Sequence, residues 1–163
     1  MSTPSPAQFD WGTFSGRVRL FPIPGMVMFP HVLCPLHVFE PRYRRLTQAA
    51  LAGDQLIAIP TLSDDAVTGE VPSDAKLDAV ACLGRIASHH RLADGRYTLL
   101  LQGIGRVRLH EELTSSLPFR EARAEGVADV YPGGDVDDLE CRRLRDDVLA
   151  RLGKSLSLQA GGI

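Results

Sequence analysis

Residues 20–44, which decide the fold, are Leu20-Phe-Pro-Ile-Pro-Gly-Met-Val-Met-Phe-Pro-His-Val-Leu-Cys-Pro-Leu-His-Val-Phe-Glu-Pro-Arg-Tyr-Arg44. Prolines at positions 22, 24, 30 and 35 remove backbone donors, so the stretch cannot be a central strand or a helix. It predicts short extended pieces joined by fixed turns. One piece is a strand over Leu33–Phe39, which Pro35 confines to a sheet edge or a bulge. It follows a short, half-buried strand over Arg17–Phe21.

A helix start closes this stretch. Glu40 brings a carboxylate to the positive end of the helix, and Pro41 suits the first helical position. Apolar residues then recur at helical spacing until Gly53, which ends the helix. We also expect an i,i+4 ion pair between Glu40 and Arg44.

A β-hairpin is the best-specified element further along the chain. Val80–Arg91 and Tyr97–Leu109 flank a turn whose Asp94-Gly95 pair predicts type I′ geometry. That two-residue turn sets Arg91 opposite Thr98. The same register gives the hairpin an outward face with an apolar strip and a basic edge, made of Arg85, His89, Leu100 and Ile104.

The other segments are predicted from the same patterns. Residues 1–16 are rich in Ser, Pro and Gly and are expected to form a flexible N-terminal arm. Strands are expected over Gln55–Pro60 and Phe119–Glu125, with a loop over 63–78. A last helix over 137–152 carries an apolar stripe, namely Cys141, Leu144, Val148 and Leu152.

Composition bounds the class of protein. The chain has 163 residues, 44% hydrophobic and 23% charged, with a formal net charge of −2. This balance is typical of a globular domain and lacks the basic excess of a dedicated nucleic-acid or anionic-membrane binder. No apolar run reaches the roughly 18–20 residues that span a bilayer, and the N-terminus does not resemble a signal peptide. An odd number of distant cysteines (34, 82 and 141) predicts reduced thiols and a cytoplasmic location.

Three motifs were tested for chemistry, and we predict no catalytic residue, cofactor or metal site from them. His31-x-x-Cys34-x-x-His37 places its ligands on opposite faces of an extended segment. Gly153-Lys154-Ser155 lacks the earlier glycine of a phosphate-binding loop. Gly103-Ile-Gly105 lacks a third glycine and predicts a bulge or a sharp bend.

Two features are candidates for polypeptide binding. The first is the apolar turn that holds Met26, Met28 and Phe29, because flexible methionines suit adaptable recognition. The second is the hairpin strip of Arg85, His89, Leu100 and Ile104. For both, the alternative is burial: methionines fill cores equally well, and the strip can be covered by a helix or by the N-terminal arm.

The motifs of the opening stretch resemble a known family. Leu20-Phe21-Pro22, Phe29-Pro30 and Phe39-Glu-Pro-Arg-Tyr43 are similar to the signature of the N-terminal domain of Lon-type ATP-dependent proteases. The resemblance continues in Ala81–Ile86 and Gly95–Arg108. It implies an α+β, mainly β fold, a PUA-like β-barrel-type sheet with one early helix and one C-terminal helix. The predicted organisation is an arm over 1–16, the Lon-like domain over 17–130, and a C-terminal helix and polar tail over 131–163.

The resemblance also implies a function. We expect a non-catalytic domain, without ATPase or peptidase modules, that binds unfolded or degron-bearing polypeptides and works with a protease. A homodimer through the C-terminal helix is expected as well, and a membrane partner is not. Two alternatives stay open, an RNA-binding module, since PUA-like folds often bind RNA, and an enzyme known as a peptidase only through its relatives.

Overall fold

Six strands form one sheet in the computed structural model, which describes residues 9–63, 69–128, 143, 146 and 147. In chain order the elements are β1 (Arg17–Arg19), β2 (Leu33–Val38), α1 (Pro41–Leu51), β3 (Leu56–Leu62), β4 (Leu77–Arg91), β5 (Tyr97–Glu112) and β6 (Glu121–Val127). The strand order is β1-β6-β5-β4-β3, all antiparallel, and β2 pairs with the first half of β5.

The sheet curls back on itself. Leu20 forms a parallel bridge with Ala58, and the N–H of Phe21 donates to the Ala58 carbonyl at 2.9 Å. These contacts bring the end of β1 against β3, the strand at the other end of the order. The barrel-type, mainly β sheet with its early helix confirms the predicted fold class.

Apolar side chains cover both faces of the sheet. On β3, Ile57 and Ile59 point into one buried cluster, while Leu56 and Ala58 point into another. The first cluster receives the apolar face of α1, and the second fills the inside of the curled sheet with residues of β1, β4, β5 and β6. Fully burying one such aliphatic side chain contributes about 1.5–3 kcal/mol, and β3, like β4 and β5, contributes to both clusters.

Helix α1 begins and ends close to the prediction, with Glu40 at the N-cap and Pro41 as its first residue. The predicted Glu40–Arg44 pair is wrong. Glu40 accepts from Arg42 Nε and Nη2 at 3.0 and 2.8 Å, and Arg44 Nη1 donates to the Asp94 carbonyl at 3.3 Å. The N-cap has an extended backbone, with ψ of 134°, so the helical i,i+4 spacing does not apply to its side chain.

Residues 9–16 of the predicted N-terminal arm pack on the sheet. Phe9, Trp11 and Phe14 meet edge to face, with ring centroids 4.9–6.5 Å apart. The indole of Trp11 lies over Gly105 and Gly126, where an added Cβ would come within 2.5 and 2.6 Å of it. These two glycines make the flat surface that receives the ring. Flexibility of residues 1–8 stays a prediction, because they lie outside the described residues.

The hairpin turn differs from the prediction. The Leu92 N–H donates to the Arg96 carbonyl at 2.8 Å, and the Gly95 N–H donates to the Leu92 carbonyl at 2.9 Å. Gly95 has φ of 83°, and Asp94 is not among the residues with positive φ. The loop is therefore a type I turn closed by a glycine bulge, not type I′. The extra loop residue moves the register by one, so Arg91 faces Tyr97.

Two bulges move the register again. It shifts between Ile86 and Ser88 and between Leu83 and Gly84, opposite Gly103–Gly105. The second shift confirms the bulge predicted at the glycine pair. Most of the predicted helix over 137–152 lies outside the described residues. The three residues of this range that the structure describes, Arg143, Asp146 and Asp147, are helical.

Candidate functional site

Exposed apolar side chains concentrate on the segment that joins β1 to β2. We call them the 27–33 surface. Its members are Val27, Phe29, Val32 and Leu33, which are 58, 55, 48 and 54% exposed. Large apolar side chains at this density within seven residues are typical of an interaction surface.

Backbone hydrogen bonds hold this segment on β5. The His31 N–H donates to the Gly103 carbonyl at 2.8 Å, and the Gly103 N–H donates to the Val32 carbonyl at 2.9 Å. His31 has φ of 67° and Gly25 has φ of 65°. A left-handed conformation costs a non-glycine residue about 1–2 kcal/mol, and the hydrogen bonds of His31 and Val32 to Gly103 offset that strain. The 27–33 surface is therefore presented in one defined shape.

The predicted loop residues divide between core and surface. Met28 is 7% exposed and belongs to the cluster under α1, and Met26 is half-buried against the same cluster. Of these three predicted residues, Phe29 alone is exposed. Alternation explains the division, since Met26 and Met28 point inward while Val27 and Phe29 point outward. Because all four residues are apolar, the sequence holds no signal that tells the inward pair from the outward pair.

The predicted hairpin strip is not one face. Ser88 faces Leu100, whereas His89 faces Leu99. The Leu99 side chain is buried in the cluster that packs against α1. His89 and Leu100 therefore lie on opposite faces of the hairpin. The one-residue change at the turn separates them, and the bulge between Ile86 and Ser88 shifts Arg85 relative to His89.

The other two residues of that strip have different surroundings. The Arg85 guanidinium lies 5.2 Å from the Phe9 ring centroid, a cation–π contact. Ile104 is half-buried against the second cluster, which fills the inside of the curled sheet. An apolar strip with a basic edge is thus not formed by the four residues, and the expectation of one shared outward face is wrong.

A groove, here called the β2 groove, follows the edge of β2. Its cavity measures about 230 Å³ and is lined chiefly by Phe21, Pro22, Ile23, Pro24, Pro35, Leu36, His37, Val38, Phe39, Glu40 and Tyr43. Phe39 is 60% exposed and its ring stacks on His37, with centroids 6.2 Å apart. Among the described residues β2 pairs with β5 alone, so its other edge faces this groove. Sequence reasoning placed Phe39 at the end of the predicted strand Leu33–Phe39 and missed it as a surface residue.

Tyr43 is a buried residue that lines the β2 groove. Its ring packs on Phe21, with centroids 4.3 Å apart, and the Arg42 guanidinium lies 4.6 Å from the Tyr43 centroid. Burial raises the pKa of the Tyr43 hydroxyl to about 12. The hydroxyl stays neutral at physiological pH, and the residue acts as a packing element.

The thiols and histidines form no reactive centre in the described part of the chain. Burial raises the pKa of Cys82 to about 11 and also raises the pKa of Cys34, so both are protonated at neutral pH. Cys34 points toward the core while His31 and His37 are exposed. Over the described ranges no three His, Cys, Asp or Glu side chains come together as metal ligands. None of the described helices is long and apolar enough to cross a membrane.

The architecture, a curled sheet with one helix and a strand at its edge, matches solved N-terminal domains of Lon proteases. The N-terminal domain of Mycobacterium avium complex Lon protease aligns with a TM-score of 0.63 at 14% identity, over 88% of this chain and 71% of that one. A Lon N-terminal domain protein from Xanthomonas campestris aligns with a TM-score of 0.56 at 20% identity, over 82% and 74%. The fold is therefore of the Lon N-terminal class.

Sequence comparison identifies the family itself. Residues 17–160 match the model of the ATP-dependent protease La (LON) substrate-binding domain, and the chain belongs to that family. The Lon protease of Trichlorobacter lovleyi is 31% identical over 144 residues, 85% of this chain and 17% of the relative. The Lon protease of Cytophaga hutchinsonii is 26% identical over 152 residues, 93% of this chain and 18% of the relative. The chain thus spans less than a fifth of these relatives.

Proposed function

We propose that this chain is a non-catalytic recognition domain that binds unfolded or degron-bearing polypeptides and delivers them to a protease. The observation that carries the proposal is the 27–33 surface, four large apolar side chains exposed on a segment that is hydrogen-bonded to β5. A preformed apolar surface suits this task, because less conformational entropy is lost on binding. Membership of the substrate-binding domain family supports the same class of partner.

The β2 groove extends this recognition mode. An extended polypeptide can add to the edge of β2 through main-chain hydrogen bonds, which depend little on sequence. Pro35 supplies no donor there, so pairing across this edge is incomplete and reversible. Phe39 offers an apolar contact at one end of the edge.

The chain acts, in this proposal, without ATPase or peptidase chemistry of its own. The described thiols, Cys34 and Cys82, have raised pKa values and are poor nucleophiles. A cytoplasmic location, where thiols are kept reduced, is part of the proposal. Assembly as a homodimer through residues 137–152 stays part of the proposal, and light scattering at micromolar concentration tests it: a monomer would contradict it.

Fluorescence anisotropy tests the recognition role. The titration uses labelled, reduced and carboxymethylated lactalbumin as a permanently unfolded polypeptide, with native lactalbumin as control and labelled single-stranded RNA in parallel. We expect saturable binding of the unfolded form alone, little affected by salt between 50 and 200 mM. Binding of RNA alone, weakened steeply by salt, would replace this proposal with the nucleic-acid alternative. Absence of binding to either probe would contradict the proposal.

A further inference from the structure

A second pocket lies between the start of α1 and the hairpin loop, and its lining is basic. It measures about 240 Å³ and is lined by Pro41, Arg44, Arg45, Gln48, Arg91 and Gly95. We call it the arginine pocket. It shares no lining residue with the 27–33 surface, so an inference about it stands apart from the proposed polypeptide recognition.

The three guanidinium groups of the arginine pocket lack carboxylate partners among the described residues. Arg44 donates to a backbone carbonyl, that of Asp94, at 3.3 Å. Most other arginines in the described part of the chain are ion-paired, namely Arg17, Arg19, Arg42, Arg96, Arg120 and Arg123. The arginine pocket therefore brings three guanidinium groups without carboxylate partners into one cavity.

Two carboxylates, Glu40 and Asp94, lie next to residues of the arginine pocket in sequence, and both bind other arginines. Asp94 binds Arg96, with Oδ2 and Nε 2.6 Å apart, and the Arg96 backbone N–H lowers the pKa of that carboxyl. Glu40 binds Arg42 at 2.8 Å. Neither carboxylate neutralises the pocket, so the three positive charges of Arg44, Arg45 and Arg91 face the solvent together.

The position of Arg44 and Arg45 goes against helix electrostatics. Both lie in the first half of α1, near its positive end, where the N-cap carboxylate of Glu40 is bound to Arg42 and the first turn holds no acidic residue. Cations at this end destabilise a helix, whereas anions stabilise it by about 0.3–1 kcal/mol. Arg44 is compensated in part by the Asp94 carbonyl, whereas Arg45 has no such contact among the described residues, and a residue choice that opposes a local rule is typical of a binding site.

We propose that the arginine pocket binds a phosphate group. Three guanidinium forks offer up to five donors each and pair bidentately with oxyanions. A doubly charged phosphate compensates three arginines and the helix terminus better than the single charge of a carboxylate. Free inorganic phosphate and a phosphoserine side chain of a bound polypeptide share this chemistry, and the same site serves either source.

The test is calorimetric titration of the full chain with four probes. They are inorganic phosphate, a phosphoserine peptide, the same peptide with serine, and the same peptide with glutamate. The key variant is Arg45→Gln combined with Arg91→Gln, because both side chains are exposed and make no intramolecular ion pair in the described structure. Arg108→Gln, an exposed arginine outside the pocket, is the matched control. Circular dichroism and the melting temperature confirm that each variant is folded.

We expect saturable binding of inorganic phosphate, of the phosphoserine peptide, or of both, and which one binds identifies the source. The double variant should weaken that affinity at least tenfold and Arg108→Gln less than twofold. Three results would overturn the inference: no binding of either phosphate probe, equal losses in the pocket and control variants, or glutamate peptide binding as tight as phosphoserine peptide binding. If the arginine pocket does not bind phosphate, the proposed polypeptide recognition still stands, because the lactalbumin titration tests it separately.

Discussion

The carbonyl oxygen of Phe29 lies so close to Gly103 that a Cβ built on that glycine would sit 2.3 Å away from it. Backbone hydrogen bonds from His31 and to Val32 surround this contact. Because a side chain at position 103 would collide with backbone rather than with a movable side chain, glycine sets the distance between the loop and β5. The presentation of the 27–33 surface depends on that distance.

Gly103→Ala should therefore displace the loop. We expect the free energy of unfolding to fall by about 2–3 kcal/mol, the cost of overpacking against fixed backbone. Urea denaturation measures it. Gly25→Ala is the matched control in the same loop, since its Cβ would meet nothing within 4 Å and would bear only the strain of φ at 65°. Its cost should be about 1 kcal/mol, and an equal or larger loss in the control would contradict this account.

Phe29→Ser should weaken binding of the unfolded polypeptide without destabilising the fold. The side chain is 55% exposed, so its loss removes contact area with the partner rather than core packing. We expect a five- to thirtyfold loss of affinity, about 1–2 kcal/mol, in the anisotropy titration. Leu117→Ser, also exposed at 43% but outside the 27–33 surface, should change affinity less than twofold. Equal losses would show that general hydrophobicity explains binding.

Met28→Ala should have the opposite profile. Met28 is buried beneath the same loop, and truncating a buried methionine costs about 2–5 kcal/mol. We expect a lower urea midpoint, and polypeptide affinity close to that of the parent protein under conditions where the variant is folded. Lost affinity with unchanged stability would place Met28, against this structure, in the recognition surface.

Trp11 and Gly126 should be energetically coupled. A Cβ on Gly126 would lie 2.6 Å from the indole, so Gly126→Ala alone is expected to cost about 1–3 kcal/mol through overpacking. Trp11→Ala removes the indole and with it the collision. The double variant should then be no less stable than Trp11→Ala. A double-mutant cycle by urea denaturation should therefore give a coupling free energy of at least about 1 kcal/mol. Additive losses would contradict the packing.

The stability of the domain should fall at alkaline pH in part because of Cys82. Its pKa is about 11 in the folded protein, whereas an unfolded thiol ionises near 8.5. Between these values the folded state binds more protons, so the free energy of unfolding decreases as pH rises from about 8.5 to 11 and is unaffected below that range. The contribution is at most about 3 kcal/mol.

Urea denaturation at pH 8 and pH 10.5 checks this pH dependence, with Cys82→Ala as the comparison. The variant should lose less stability between the two pH values than the parent. Tyr43, with a pKa of about 12, adds a similar loss at higher pH, and Tyr43→Phe removes it. Parallel losses in the parent and in Cys82→Ala would refute the assignment.

Local signals in the sequence were sufficient for the elements that local chemistry controls. Pro41 after Glu40 predicts the start of α1, and the structure has it there. Pro35 predicts an edge strand, and β2 pairs with β5 alone among the described residues. The family signature, carried by the prolines and aromatics of residues 20–44, is confirmed by the family match.

The candidate site was predicted only in part, because the direction of a side chain depends on register. Asp94-Gly95 is compatible with two turn types, and the additional loop residue of the observed one changes which residues share a face. His89 and Leu100 were separated in this way. For Met26 and Met28 the sequence left a binding role and burial open, and the cluster beneath α1 buries Met28 and half-buries Met26.

By itself, the sequence determined the edge position of β2 and the start of α1, since each depends on proline or helix-end chemistry within a few residues. It also indicated the class of fold and the family, through a resemblance carried by motifs spread over residues 20–108. Tertiary structure alone decided which apolar residues of the loop stay exposed and which arginines meet in one pocket. Arg91 is far from Arg44 and Arg45 in sequence, and the hairpin brings it beside α1. Such long-range meetings follow from strand register and sheet curvature, which no local pattern encodes.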